Sequence, residues 1–308
     1  MRIAILGATS ELAKDFVAVT LNQMEDNLLL YARRPQAVHG WLDTIGKAGA
    51  AEVYSFDDFP PAREVGALIN FVGIGNPAQA RLLGTSILEL TQVYDDLAIK
   101  YVRAHPHCRY VFLSSGAVYG PDFQQPITTQ SLAQVSINQL HSEDWYAIAK
   151  LYAERRHRAM PDSAIVDLRV FNYFSHTQDM SASYLMADVV RAIASGNYLQ
   201  TSSANIVRDY LHPTDFHRLV GCILRAPPTN AAVDCYSRAP INKFSLLGAM
   251  QTHFNLKYKV VDTTPAGSIK LNYYSLSRMA EQFGYQPSIN SLDGILQESE
   301  KLFGKCET

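Results

Sequence analysis

The chain predicts an α/β fold, a doubly wound parallel sheet with a smaller α/β C-terminal lobe. Two observations carry that expectation. Short, continuously apolar runs alternate with longer amphipathic stretches through the first two-thirds of the sequence, as at Arg2–Leu6, Ala67–Phe71 and Arg109–Ser114. Strands apolar on both faces need helices above and below a parallel sheet. The first run also breaks into Gly7-Ala8-Thr9-Ser10-Glu11-Leu12-Ala13, a glycine turn that opens a helix. Right-handed crossovers make a Rossmann-like sheet the natural closure.

In chain order, Arg2–Leu6 is a strand, and the spacing of Leu12, Phe16, Val17 and Leu21 gives Leu12–Gln23 one apolar helical face. Asn27–Tyr31, Glu52–Ser55 and Ala67–Phe71 follow as strands. A long amphipathic helix is expected over Ala80–Ala104, then a strand at Arg109–Ser114, a helix over Tyr146–Arg158 and a strand at Ala164–Phe171. The pattern loosens beyond Phe171. Ser183–Ala194, Leu246–Phe254 and Leu292–Phe303 keep helical spacing, and Ala231–Tyr236 returns as a strand. We divide the chain into a main domain at 1–172, rejoined by 205–237, and an interleaved lobe within 173–308. That lobe is expected over the sheet's carboxyl edge, where open α/β sheets bind ligands.

Composition narrows the function classes. With 308 residues, 47% of them hydrophobic, the chain can bury a sizeable core. A formal net charge of −2 gives no electrostatic case for nucleic acid or an anionic membrane surface. No apolar run approaches the roughly 18 residues of a membrane span, and the opening Met1–Gly7 reads as strand and turn, not as a signal peptide. Cys108, Cys222, Cys235 and Cys306 lack metal-ligand spacing and disulfide density, which fits reduced thiols in a cytoplasmic protein with no metal site.

Tyr146 and Lys150 stand four residues apart, so on a helix the phenol and the ammonium share a face. A free tyrosine titrates near about 10, and a neighbouring cation draws that value toward the working range. Upstream, Val111-Phe112-Leu113-Ser114-Ser115 ends a strand in two serines. A serine hydroxyl in reach would hold a substrate carbonyl or alkoxide while the phenol gives or takes its proton. This equipment suits oxidising an alcohol or reducing a ketone beside a hydride carrier. The Tyr-x-x-x-Lys pair alone is common; the informative part is its place after a glycine turn and a serine strand end.

In that order the motifs resemble the short-chain dehydrogenase/reductase superfamily, and more narrowly its extended branch, the NAD-dependent epimerase/dehydratase family that acts on nucleotide-activated sugars. The resemblance runs from Met1 to Ser237. It implies a dinucleotide-binding domain in 1–172, with Gly7, Thr9, Ser10, Glu11 and Leu12 at the pyrophosphate, and a substrate-binding lobe in 173–308. The family's Gly-x-x-Gly-x-x-Gly keeps only Gly7 here, with Ser10 and Ala13 at the other two places. The Ser10 hydroxyl could donate to phosphate instead. Phe71, Val72 and Gly73 would line the riboses, and a contact from Asn76 is left open. The second strand's end, Leu30–Pro35, lacks the acidic residue of an NAD site. Arg33 and Arg34 would clamp a 2′-phosphate, which favours NADP(H), with NAD(H) the alternative. A solvated arginine pair capping the strand would read the same way.

At the chemical end the resemblance implies Ser115 as the catalytic hydroxyl, four residues before Tyr119, with Ser114 behind it. Tyr146 would transfer the proton; Lys150 would lower its pKa and hold the nicotinamide ribose. Gly116-Ala117 stand where sugar 4,6-dehydratases carry Asp-Glu, which disfavours a dehydratase. Phe171 would flank the nicotinamide or fill the core, and Asn172 would bond substrate. Ile206–His212 matches the Arg-Asp-Tyr/Phe-Ile-His signature, so Arg208 would anchor the substrate diphosphate, with Asp209 and His212 structural. Arg238 and Lys243 could add positive charge, and Tyr119 either faces the sugar or closes the turn. The expected activity is NADPH-dependent reduction of a keto-sugar nucleotide. The alternatives are an NAD-dependent nucleotide-sugar 4-epimerase and a non-catalytic NADP-sensing protein. The expected partner is the nucleotide-sugar, and a homodimer through 80–104 and 146–158 stays open.

Overall fold

The structure, a computed structural model, describes residues 1–23, 26–73, 80, 82–142, 144–261 and 270–304; Ile74, Gly75, Asn76 and Cys306 lie outside them. The first six strands are β1 (Arg2–Leu6), β2 (Asn27–Tyr31), β3 (Glu52–Tyr54), β4 (Ala67–Asn70), β5 (Arg109–Ser115) and β6 (Ile165–Val170). The chain then leaves for β7 (Asn172–Tyr173), β8 (Tyr198–Thr201), β9 (Val207–Arg208) and β10 (Tyr210–Leu211), before β11 (Ala231–Asp234) rejoins the main sheet. That sheet has seven strands in the order β3-β2-β1-β4-β5-β6-β11, every neighbour pair parallel. The strand order reverses between β1 and β4, which opens a crevice at their carboxyl ends.

The alternation within each strand explains the double winding. Ile3, Ile5, Leu28, Leu30 and Ile69 face one core, shared with α1 (Glu11–Gln23), α2 (Pro35–Thr44) and, from later in the chain, residues 216–224. Ala4, Leu6, Leu29, Leu68 and Phe112 face the other, shared with α3 (Ser86–Ala104) and α4 (Asp144–Arg158). A period of two thus sends successive residues to opposite helical layers. Within the expected helix over 80–104, residues 80, 82 and 83 are helical, the chain breaks at Gly84 with φ +53°, and α3 runs on from Ser86.

The C-terminal lobe has its own core. The helices and strands here are α5 (Leu185–Ser195), β12 (Ile241–Asn242), α7 (Lys243–Phe254), β13 (Lys257–Val260), β14 (Asn272–Tyr273) and α8 (Ser291–Phe303), with α6 (Pro213–Arg225) intervening after α5. Phe174, Met186, Val189, Leu246, Met250 and Ile295 pack there, while α6 leaves the lobe to pack beside α1 under the main sheet. Short pairings tie the lobe together: β9 lies between β12 and β14, β10 beside β7, and β13 beside β8. Both α2 and α6 go beyond the expected elements. The signal for α6 was present in Pro213 at its first turn and in the 216, 219, 220, 223, 224 apolar spacing. No described helix is long and apolar enough to cross a membrane.

Candidate active site

The site is built from the carboxyl ends of β1, β4, β5 and β6. At the first, Gly7 adopts φ +81°, and a Cβ there would come within 2.9 Å of the Val72 amide nitrogen. Only glycine fits both demands. The amides of Gly7 and Ala8 donate to the Tyr31 carbonyl at 3.0 and 3.1 Å, holding the turn against β2. Ser10 caps α1: its Oγ accepts from the Ala13 amide at 3.2 Å, which leaves its own hydrogen to donate elsewhere. Glu11 turns its carboxylate to the Asp179 amide at 2.7 Å, so its backbone and that of Leu12, not its side chain, remain for a ligand at the helix start. Burial pushes the Glu11 carboxyl up, against the Asp179 amide, which draws it down. Thr9 is exposed beside this turn.

Phe71 is buried and packs on Phe16 and Phe216, with ring centroids 5.9 and 6.0 Å apart, so its backbone alone borders the crevice. Val72 donates its amide to Asn70 at 2.9 Å, and Gly73 lies directly against the Lys150 ammonium. Arg33 and Arg34 are exposed at the end of β2 and make no ion pair with any described residue. The residues at this crevice fit a dinucleotide: a turn too tight for a side chain, a capped helix with free leading amides, and a lysine beside the β4 end.

Ser115, the last residue of β5, is buried and accepts from the Ala117 amide at 3.2 Å. Tyr146 and Lys150 share the sheet-facing side of α4. Burial pushes the Tyr146 phenol up, and the Ser115 hydroxyl draws it back down. The Lys150 ammonium donates to the Leu113 carbonyl at 2.6 Å and lies 4.5 Å from the Phe112 ring centre, but 6.0 Å from that of Tyr146. The expectation that Lys150 lowers the phenol's pKa is therefore corrected for this state, because the ammonium is turned to the strand and desolvation of the phenol wins. Burial lowers Lys150 itself to about 8, against the pull of Asp95, Asp167 and Glu154.

Behind these groups α4 continues one charged face. Glu154 accepts from Ser114 Oγ at 2.5 Å and pairs with Arg169, whose Nη1 donates to Tyr119 Oη at 2.7 Å. Tyr119 in turn donates to Asp234 at 2.9 Å. Tyr119, at the strand-end turn, is thus tied into the buried network through Arg169 and Asp234. One turn on, His157 is enclosed between Asp167 at 2.6 Å and Asp95 at 2.8 Å. The two carboxylates overcome burial and hold the imidazole protonated, with a pKa raised to about 9.

On the open side, the Phe171 ring covers Gly116 so closely that any side chain at 116 would collide with it. Phe171 also meets Tyr273 at 5.2 Å and, edge-on, Phe123 at 6.4 Å. Asn172 uses both amide hydrogens, on the carbonyls of Asp209 and Tyr273 at 3.2 Å each, so only its side-chain oxygen is left for a substrate. Arg208 Nη1 donates to the Val207 carbonyl at 2.8 Å, and its guanidinium carbon lies 5.9 Å from the centre of the Tyr273 ring. Tyr273 and Lys270 were not among the expected site residues. The Ser115 hydroxyl draws down the Tyr273 phenol, which burial pushes up, so two phenols converge on one serine. No local motif marks Tyr273; β14 brings it in by pairing with β9.

Other expected groups serve the scaffold. Asp209 accepts from the Ser237 amide and from Ser291 Oγ at 3.1 Å, and His212 caps α6 while contacting Glu298 at 3.1 Å. Lys243 is buried and donates to the Ser202 carbonyl at 2.6 Å, and Arg238 is exposed, so Lys243 does not add charge to the site as expected. Burial raises the Cys108 thiol to about 12, and among the described residues no group of His, Cys, Asp or Glu could hold a metal ion.

The NAD dependent epimerase/dehydratase family model matches residues 3–236. The chain belongs to that family. It is an enzyme of the short-chain dehydrogenase/reductase type. Similar solved structures include UDP-glucose 4-epimerase from Stenotrophomonas maltophila with bound NAD, at TM-score 0.81, 15% identity and coverage of 98% of this chain and 97% of that one. UDP-glucose 4-epimerase from Bifidobacterium longum with NAD+ and UDP gives 0.77, 16%, 99% and 99%. dTDP-glucose 4,6-dehydratase from Bacillus anthracis with NAD gives 0.79, 14%, 97% and 96%. At such identities the likeness is one of fold. No curated protein sequence matches the chain. The family is described as NAD dependent and these neighbours hold NAD, so neither supports the preference for NADP(H) expected from Arg33 and Arg34.

Proposed function

We propose that this family member is an NAD-dependent nucleotide-sugar 4-epimerase. The carrying observation is the convergence of Ser115, Tyr146 and Lys150 at the carboxyl edge of the sheet, next to a turn that only Gly7 can make. Bound NAD would supply a reversible hydride acceptor for the sugar carbon. Tyr146 then takes the proton from the sugar hydroxyl and later returns it, while Ser115 holds that oxygen by a hydrogen bond. Lys150, beside Gly73 at the end of β4, would hold the nicotinamide ribose and keep positive charge near the phenol. Arg208 would hold the diphosphate and leave the sugar to turn between the two faces. The Phe171 ring over Gly116 leaves no room for an acid–base side chain there, which speaks against dehydration.

A keto-sugar reductase using NADPH is the second reading, favoured by the exposed Arg33 and Arg34 at the end of β2. The test is to purify the protein without dialysis, look for retained dinucleotide, and follow UDP-glucose and UDP-galactose by NMR. Interconversion with no net cofactor consumption is the expected result. Oxidation of added NADPH by a 4-keto-6-deoxy sugar nucleotide would replace the epimerase with the reductase. Dinucleotide binding without turnover of either would point to a sensor.

A further inference from the structure

The aromatic group in front of Ser115 carries two cations that pair with no carboxylate among the described residues. Lys270 Nζ lies 4.9 Å from the Tyr273 ring centre and 5.1 Å from that of Phe123. Arg208 lies against the same Tyr273 ring at 5.9 Å. Among the described residues Arg208 bonds only backbone carbonyls, and Lys270 makes no hydrogen bond or ion pair. Both are half-buried. Burial lowers each of them, and Arg208 lowers Lys270 further. Two like charges held together out of water are costly unless an anion joins them.

Their positions along the site differ. Arg208 is the residue to which the proposed function gives the diphosphate. Lys270 stands toward the reacting end: its ring platform is Tyr273, whose phenol reaches Ser115, and Phe123, which leans on Phe171 above Gly116. Asp144, two residues before Tyr146, is the carboxylate whose field Lys270 feels, yet the two form no ion pair. A neutral sugar would offer this ammonium hydroxyl acceptors but no counter-charge. A carboxylate on the sugar would satisfy it by a charge-assisted hydrogen bond.

We propose that Lys270 is a specificity residue for an anionic sugar, so that the preferred substrate is a nucleotide-activated uronic acid. This rests on the nucleotide-sugar reading of the same site. A carboxylate and the diphosphate are both oxyanions, and the experiment separates them.

Calorimetric binding of UDP-glucuronic acid, UDP-glucose and UDP to the purified protein is compared between wild type and Lys270→Met, with thermal melts to check folding. The uronate should bind wild type at least about tenfold more tightly than UDP-glucose. Lys270→Met should erase that difference and leave UDP-glucose and UDP within about twofold. Equal weakening of all three ligands would make Lys270 a diphosphate ligand and overturn the proposal. It is overturned equally if wild type shows no preference for the uronate, including no binding of any of the three. Lys270→Arg keeps the charge and should restore the preference in part, which loss of folding in the methionine variant could not mimic. Turnover of the uronate is followed separately by NMR. Binding preference without epimerisation would sink the proposed function while sustaining this assignment.

Discussion

On the sheet side of α4, His157 sits between Asp95 and Asp167, and Arg169 closes on Glu154, so these buried charges meet opposite ones. On the side facing β14, Arg208 and Lys270 lie on aromatic rings and touch no carboxylate among the described residues. The first region is complete without any ligand. In the second, no described residue supplies the counter-charge. A buried pair whose partners are both present serves as scaffold, because removing either leaves an uncompensated charge. A cation held without a partner is where an incoming anion would gain most.

This contrast can be broken at several points. The largest effect is expected at the reacting phenol: Tyr146→Phe should cut turnover by about 10²- to 10⁴-fold with melting temperature and retained dinucleotide unchanged. Activity surviving that change in steady-state assays would remove the phenol from proton transfer. Next, Asp167→Asn should destabilise the fold by about 3–5 kcal/mol, since it strips an anion from both His157 and Arg158. Urea unfolding measures this, and a loss under about 1 kcal/mol would mean that water reaches and screens the network.

A smaller effect is expected from pH. The pKa of His157 is raised from 6.5 to about 9, so its stabilisation is fully present below the lower value and lost as pH rises through the upper one. Lys150 works in the opposite sense: its pKa is lowered from 10.5 to about 8, so the cost of its charge is relieved as pH climbs between those values. The difference between wild type and His157→Gln isolates the first group. Wild type should lose stability relative to that variant between pH 6.5 and 9. Parallel curves would show His157 neutral and the pair of carboxylates compensated in another way.

The smallest effect is spectroscopic. With burial dominating Tyr146, ligand-free enzyme should show no phenolate from it near neutral pH, read as the ultraviolet difference between wild type and Tyr146→Phe. A phenolate near neutrality would mean that Lys150 reaches the phenol without help from a cofactor.

Much of this frame is legible in the linear chain. The strands that face two helical layers show as unbroken apolar runs, and Tyr146, Lys150, Glu154 and His157 repeat at helical spacing on one side of α4. The glycine turn and its capping serine are likewise local. The Lys150 ammonium was the exception. Spacing places it on the phenol's face, but its four-carbon stem carries the charge on to the Leu113 carbonyl, and no sequence pattern fixes that rotamer. Lys243 failed as an expected charge for the same kind of reason, since Ser202 captures it inside the lobe.

By itself, then, the sequence determined the order of strands and helices, the closure of the parallel sheet and the group that can move a proton, because each depends on a period of two or 3.6 residues or on one turn. Only the tertiary structure decided which distant side chains share the crevice. Tyr273 reaches Ser115 because β14 pairs with β9 and lays an aromatic platform across Phe171, and Lys270 rests on that platform. That meeting is set by packing between lobes, where neither residue has a local pattern to announce it.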